Sequence, residues 1–556
     1  MSEEVQTARP APAVDPPVVD TPELDPKRWL ALMVLLVATF MDLLDVNIVT
    51  VAIPSIQEDL GASSAAIQAV TVGYTLCFAV ILITGGRLGD IFGRKKMFLT
   101  GVAGFVLTSA LCAFAPSAEM LVVSRMLQGV AAAIMVPQVL AIIHVTFPPQ
   151  EIGRVVSLYA SMIGLAIVAG PLAGGVLIHW NPFGLGWRTI FAVNLPIGIA
   201  ALVAAGLWMR ESRSPRATRL DIVGMVLAIV GLLLLLLPLL QGRELGWPGW
   251  SIIALVASVP VLVLFVFYEH YKTRKDGSPL VVLSLFRIRT FGAGVGTQLL
   301  FSCIPAGFFL SWTLYLQGGL GWSALHTGLT AIPFSVGVPI AGNLAVRKLF
   351  PRYGRNCLFA GSLMMLAGLL LYAWTAQQVG SAITSWHAVA PMLLLGSGMG
   401  MLLAPLTGMT LTEVQPREAG AASGLINAAG QLGAALGVAI IGGIFFSALA
   451  SNAGPQADRV VSAVQAAAPQ SAAIRTCATD SLGQADLTAV PDSCRTLAAD
   501  GAPDQRATIE ATLTDIHKRT FIATFSEAMY WAAGGLAAVI CLLFFLPRQP
   551  PRPTMS

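Results

Sequence analysis

Gly85-Gly86-Arg87-Leu88-Gly89-Asp90-Ile91-Phe92-Gly93-Arg94-Lys95-Lys96 sets four cations and one carboxylate between two uncharged runs, Ile67 to Thr84 and Met97 to Ala115. Each run is about long enough to cross the hydrocarbon core of a bilayer as a helix. The stretch therefore reads as a tight turn at a membrane surface. Its Arg and Lys side chains place that surface on the cytoplasmic side.

Working outward from this turn, apolar runs bounded by charges, Gly and Pro give fourteen expected spans. They lie at roughly 29–53, 66–84, 97–115, 119–141, 154–177, 188–208, 221–239, 251–268, 290–314, 325–345, 356–376, 387–409, 421–447 and 520–546. An even number puts both termini on one side, and assigning them to the cytoplasm places most of the 33 Lys and Arg inside. Of the 556 residues, 56% are hydrophobic and 11% charged, too much apolar surface for a soluble globule to hide. The expected class is an all-α polytopic membrane protein with the lipid bilayer as its solvent.

The same composition removes other classes. The net charge of +4 comes with no basic tract interleaved with aromatics, so nucleic acid is not an expected partner. No Gly-x-x-x-x-Gly-Lys-Ser/Thr loop for ATP and no zinc or iron-sulfur ligand spacing occurs, so neither a cofactor nor a metal is expected. No nucleophile constellation or catalytic domain stands out, which argues against an enzyme.

The chain divides as follows. Residues 1–28, rich in Pro, Ala, Val and acids, read as a disordered cytoplasmic tail with no cleavable signal. Residues 29–208 form one six-helix bundle, 209–289 two inserted helices with their loops, 290–546 a second six-helix bundle, and 547–556 a cytoplasmic tail. The two bundles look duplicated: Pro149-Gln150-Glu151-Ile152-Gly153 enters the fifth span as Pro416-Arg417-Glu418-Ala419-Gly420 enters the thirteenth. Gly86 to Arg94 has a degraded echo in Gly342 to Arg355 that keeps no aspartate. Paired halves around a central site are a common plan of secondary transporters. The extracytoplasmic loop 449–519 is rich in Ala, Ser, Asp and Gln and is expected to have no core. It holds Cys477 and Cys494, which in an oxidising compartment form a disulfide or else remain two free thiols.

Three places inside or beside the spans carry chemistry. Asp42 and Asp45 are three apart in the first span and face one way on a helix, with Asp42 about 20 Å along it. An ionised carboxylate at that depth is costly, so each either binds a proton or finds a cation, as proton coupling requires; a vestibule position that tunes packing is the other reading. Arg125, the one Lys or Arg within a span, must pair with an anion or snorkel outward, and Asp45 is its natural partner. In the fifth span, Gly170, Pro171, Gly174 and Gly175 combine a small-xxx-small contact with a missing backbone donor, suited to close helix packing. In the opening turn, Gly89 and Gly93 permit the reversal, while Asp90 either balances Arg87 and Arg94 in solvent or latches onto a facing helix N-terminus.

The Gly-x-Leu-x-Asp-x-x-Gly-Arg-Lys pattern, with Gly86, Asp90, Gly93 and Arg94, resembles the signature loop between the second and third spans of major facilitator superfamily transporters. Asp45 to Pro54, Arg125 to Gly129, Gly170 to Gly175, and Trp187 to Gly198 together resemble the fourteen-span drug:proton antiporter family of that superfamily. The resemblance covers nearly the whole chain. It departs at Asn47 and Thr50, where the family usually has Thr then Asn, and in the degraded second loop.

The resemblance implies a major facilitator fold in a bacterial cytoplasmic membrane. It makes Asp45, Asp42 and Arg125 coupling residues, the Gly-Pro span a marker of antiport, and the substrates small, lipophilic and often cationic drugs exchanged for protons. A periplasmic adaptor joins the expected partners if the source is Gram-negative. The span at 325–345 lacks the extra acid that serves dications in some relatives. Export leads, with uptake of a nutrient on the same fold as the alternative.

Overall fold

The computed structural model describes residues 25–548 except 63, 214–220, 243–245, 276–278, 416–418, 465–467, 484–490 and 496–502. The expected N-terminal tail therefore lies almost wholly outside the described residues, as do 549–556 and the Pro416 to Glu418 part of the repeat.

The described chain is almost entirely helical. In order, α1 spans Arg28–Leu60, α2 Ser64–Phe92, α3 Arg94–Ala113, α4 Ala118–Thr146, α5 Pro149–Trp180, α6 Asn194–Trp208, α7 Ile222–Gln241 and α8 Gly249–Lys275. Then come α9 Arg289–Thr313, α10 Ile332–Leu344, α11 Arg355–Val379, α12 Ser385–Leu411, α13 Ala419–Val464, α14 Ala468–Gly483 and α15 Pro503–Leu543. Local chemistry sets several ends. Gly61 closes α1 in the left-handed conformation with its N–H on the Gln57 carbonyl, and the Ser117 hydroxyl caps α4 by accepting the Met120 N–H.

Among the described residues twelve helices are long and apolar enough to cross a membrane, and α2, bent by 51° between Leu82 and Thr84, is a thirteenth candidate. The remaining expected span lies within the 32-residue α5.

One face is fixed by Arg28 on Glu151 at 3.2 Å and by the Arg94 N–H on the Ser212 carbonyl at 2.9 Å. The opposite face is fixed by Arg188, which reaches Asp59 at 2.6 Å and the Ala115 carbonyl at 3.2 Å. Arg188 and the Trp187 indole donating to Asp59 hold its carboxyl below the usual carboxylate range. The repeat is visible in backbone detail. Gly354 turns the chain with φ 53° as Gly93 does with φ 106°, and the Arg355 N–H reaches the Arg548 carbonyl as Arg94 reaches Ser212.

Two expectations are corrected. The stretch from Gly85 to Lys96 is mostly helix and not loop: α2 continues through Phe92 and Gly93 alone makes the turn. Arg87 and Asp90 are thus helical side chains near the C-terminal end of α2. Second, the 449–519 region has a core. There α13 and α15 extend beyond the membrane and meet α14 around Ala457, Val460, Ile474, Cys477, Ala478, Ile509 and Ile516. Ala is the best helix former, and these apolar residues recur at three- and four-residue spacings that the surrounding Ala and Ser conceal. Cys477 is bonded to Cys494 in this cap.

Candidate coupling site and central cavity

Asp45 is fully buried and Arg125 is 1% exposed. The two form an ion pair, so Arg125 does not snorkel. The second Asp45 oxygen accepts from Asn194 at 2.7 Å and from Gln128 at 3.1 Å. Gln128 also accepts from Arg125 at 2.7 Å and donates to Ser109 at 2.8 Å. Four helices, α1, α3, α4 and α6, therefore close around one buried charge pair. Such a network is stable only while every member is satisfied.

Asp42 faces a different neighbour. It is buried, and the Tyr74 hydroxyl donates to it. The Tyr74 ring lies under the Arg125 guanidinium, 4.4 Å from its carbon. Tyr74 thus joins the two aspartates through a hydrogen bond on one side and a cation–π contact on the other. Gln128, Asn194, Ser109 and Tyr74 were not singled out from sequence. Uncharged polar residues are common in membrane helices, and only the i, i+3 spacing of Arg125 and Gln128 marks one of them as sharing the arginine's face.

The Gly-Pro span packs on the same helix. A Cβ at Gly170 would lie 2.5 Å from the Asn47 Cβ, and one at Gly174 would lie 3.0 Å from Ile48 Cγ1, so both glycines let α5 approach α1. Gly175 faces open space. The Pro171 side chain lies outside the described residues.

Asp90 is buried beside Arg94, which donates to it at 3.0 Å, so it is not the solvated loop acid that its position near a turn suggests. With Gly86, Pro137 and Leu140 it borders a narrow gap whose far wall is Ser423, Gly424 and Asn427 of α13. The acid faces the second and third turns of α13 from its start at Ala419. The attraction of a carboxylate to a helix N-terminus falls off beyond the first turn, so here it is worth about 0.3 kcal/mol, less than about a twofold change in a two-state ratio. Asp90→Asn is accordingly expected to shift the protein toward the conformation open on this face by less than about twofold. Spin-label distances between the Gly93 and Ala419 ends that stay unchanged would refute the latch.

Between the N- and C-terminal helices lies a cavity of about 320 Å³. Phe301, Phe309, Phe334, Met399 and Leu403 give it an apolar wall, and His144, Gln298, Asn427 and Gln431 supply polar groups. Among the described residues, no carboxylate lines it. Tyr159 lies on its wall. Leu140, Ser423 and Asn427 belong both to this cavity and to the Asp90 gap.

The family profile of the Major Facilitator Superfamily matches residues 35–223 and 212–438. The chain belongs to the Major Facilitator Superfamily. Within this superfamily, it is similar to a probable actinorhodin transporter of Streptomyces coelicolor, 39% identical over 535 residues, which are 94% of this chain and 92% of the relative. It is also similar to a puromycin resistance protein of Streptomyces alboniger, 34% identical over 77% of this chain and 84% of the relative. A tetracenomycin C resistance and export protein of Streptomyces glaucescens is 34% identical over 75% of this chain and 76% of the relative. The crystal structure of a human organic anion transporter matches with a TM-score of 0.56 at 13% identity, covering 92% of this chain and 99% of that one, a likeness of fold.

Proposed function

We propose that this protein is a proton-coupled antiporter that exports lipophilic drugs or antibiotics across a bacterial cytoplasmic membrane, with both termini in the cytoplasm. The observation that carries this reading is the apolar, aromatic cavity between the helices of the two halves. Resistance and export proteins among its relatives support the direction of transport.

In this reading two six-helix halves, 29–208 and 290–546, rock about the cavity while the inserted helices of 209–289 travel with them. Substrate enters the cavity from the cytoplasmic face. A proton arriving at Asp45 neutralises the carboxylate, frees Arg125 from its partner, and removes the electrostatic tie between α1 and α4. The same loss loosens Asn194 and Gln128, so α3 and α6 are released together with α4. Tyr74 carries the change to Asp42.

The cavity's polar groups are imidazole, carboxamide and hydroxyl, which favour uncharged or acidic polycyclic molecules with carbonyl and hydroxyl groups over permanent cations. The test is flux in everted membrane vesicles energised with a proton gradient. Uptake of an aromatic polyketide into the vesicles that collapses on adding an uncoupler is the expected result. Flux in the opposite direction, or flux indifferent to the uncoupler, would overturn the reading.

A further inference from the structure

Away from the Asp45 network, the α7–α8 hairpin holds a second pair of buried acids. Asp221 caps α7: its Oδ1 accepts the Gly224 N–H at 3.0 Å and the Tyr268 hydroxyl at 3.0 Å. Glu269, two turns from the end of α8, accepts the Val281 N–H at 2.9 Å on Oε2. Asp221 is 3% exposed and Glu269 is fully buried. Among the described residues, their other oxygens, Asp221 Oδ2 and Glu269 Oε1, meet no donor. Both lie over the bare Cα of Gly224, where an added Cβ would touch each of them.

Glu269 Oε1 and Asp221 Oδ2 thus converge on one point, lying 2.4 Å and 2.7 Å from where a Cβ on Gly224 would sit, and the two carboxyl groups are neighbours there. Two carboxylates cannot bond, because neither carries a hydrogen. Held side by side away from water, two ionised carboxylates repel strongly. A single proton removes the repulsion and gives both orphan oxygens a partner. A calcium-class cation would call for about six to eight oxygens, far more than the two that point here.

We propose that Asp221 and Glu269 form a proton-binding site, sharing one proton in a carboxylic acid–carboxylate hydrogen bond that clamps the segment joining α8 to α9 onto the α7–α8 hairpin. Val281, held by Glu269, also packs with Leu280 on Ala228 of α7 and against Leu425 of α13, so the clamp ties the inserted hairpin to a helix of the C-terminal half. Loss of the proton to water leaves two adjacent carboxylates, which separate and release Val281. Among the described residues, the titratable neighbours are Tyr268, which donates to Asp221, and Lys272, one turn further along α8. The joining segment and α13 present Leu280, Val281 and Leu425, none of which titrates.

Infrared difference spectroscopy on the purified full chain, titrated from about pH 6 to about pH 9, tests the site, since buried carboxyls titrate across that range. The expected result is a protonated-carboxyl band that fades within it, persists in D42N and D45N, and is missing in both E269Q and D221N. D221N keeps a good helix cap, so it guards against a folding defect. Amide exchange at Val281, corrected for the intrinsic rate, is expected to lose about tenfold protection per pH unit through the transition, in proportion to the one proton linked. E269Q, whose carboxamide N–H replaces the shared proton, is expected to stay protected throughout. A band unaffected by either substitution, exchange at Val281 without a pH step, or protection restored at high pH by calcium alone would overturn the proposal.

Discussion

Asp45→Asn is expected to abolish uphill export while leaving the protein in the membrane. The substitution keeps the acceptor for Asn194 or Gln128 but removes the charge that holds Arg125, whose guanidinium is buried and cannot lose its proton. Removing one partner of a buried pair costs about 3–5 kcal/mol, and here the cost falls on every state in which Arg125 remains inside. Coupling fails for a second reason, because the carboxamide cannot bind and release a proton in the cycle. In everted vesicles the proton-driven accumulation should vanish, while exchange of labelled for unlabelled substrate continues. Uncoupler-sensitive accumulation equal to that of the unsubstituted protein would rule out Asp45 as the coupling residue.

The second large effect is expected at the contact of α5 with α1. Gly174→Leu puts a side chain against Ile48, whose Cγ1 and carbonyl oxygen already lie 3.0 Å and 3.2 Å from where the first added carbon would sit. Overpacking of a tight contact costs about 1–3 kcal/mol, and the cost is largest in the conformer with the closest approach. Export should fall at least tenfold at normal membrane levels. Gly175→Leu, one residue on and facing open space, supplies the control and should export normally. Equal losses in the two variants would mean that the span suffers from general destabilisation and that no specific contact with α1 is involved.

Much of this was legible in the sequence, and the reasons differ from place to place. Long apolar runs broken by charge mark membrane helices strongly, so each expected segment lies largely in helix, although 188–208 and 325–345 each cross a break and 520–546 runs past the end at Leu543. Asp45 and Arg125 stood out because charge is rare at depth, and rarity alone suggested the pairing. Asn194 and Ser109 carry no such signal: their role depends on α6 and α3 converging on α1, which no local pattern encodes. The burial of Asp90 was hidden by a glycine-rich stretch that reads as loop, although glycines at a helix–helix contact serve close packing equally well. The cavity was illegible for the same reason as the Asn194 contact, since its wall is gathered from helices throughout both halves. The cap beyond the membrane was missed because alanine-rich helix resembles low-complexity linker when only composition is weighed.

That cap gives the molecule an unusual mechanical property. The 46-residue α13 and the 41-residue α15 run from the bilayer into it without interruption, and Cys477–Cys494 fastens its smaller parts together. A helix of that length reaches about 60–70 Å at 1.5 Å per residue, roughly twice the hydrocarbon thickness. The outer portion is consequently a lever arm built into two of the helices that border the C-terminal half. A few degrees of tilt within the lipid become a sweep of several ångströms at its tip. A fluorophore or binding protein fixed to the cap would thus follow the tilting of that half in real time, without a label anywhere near the cavity.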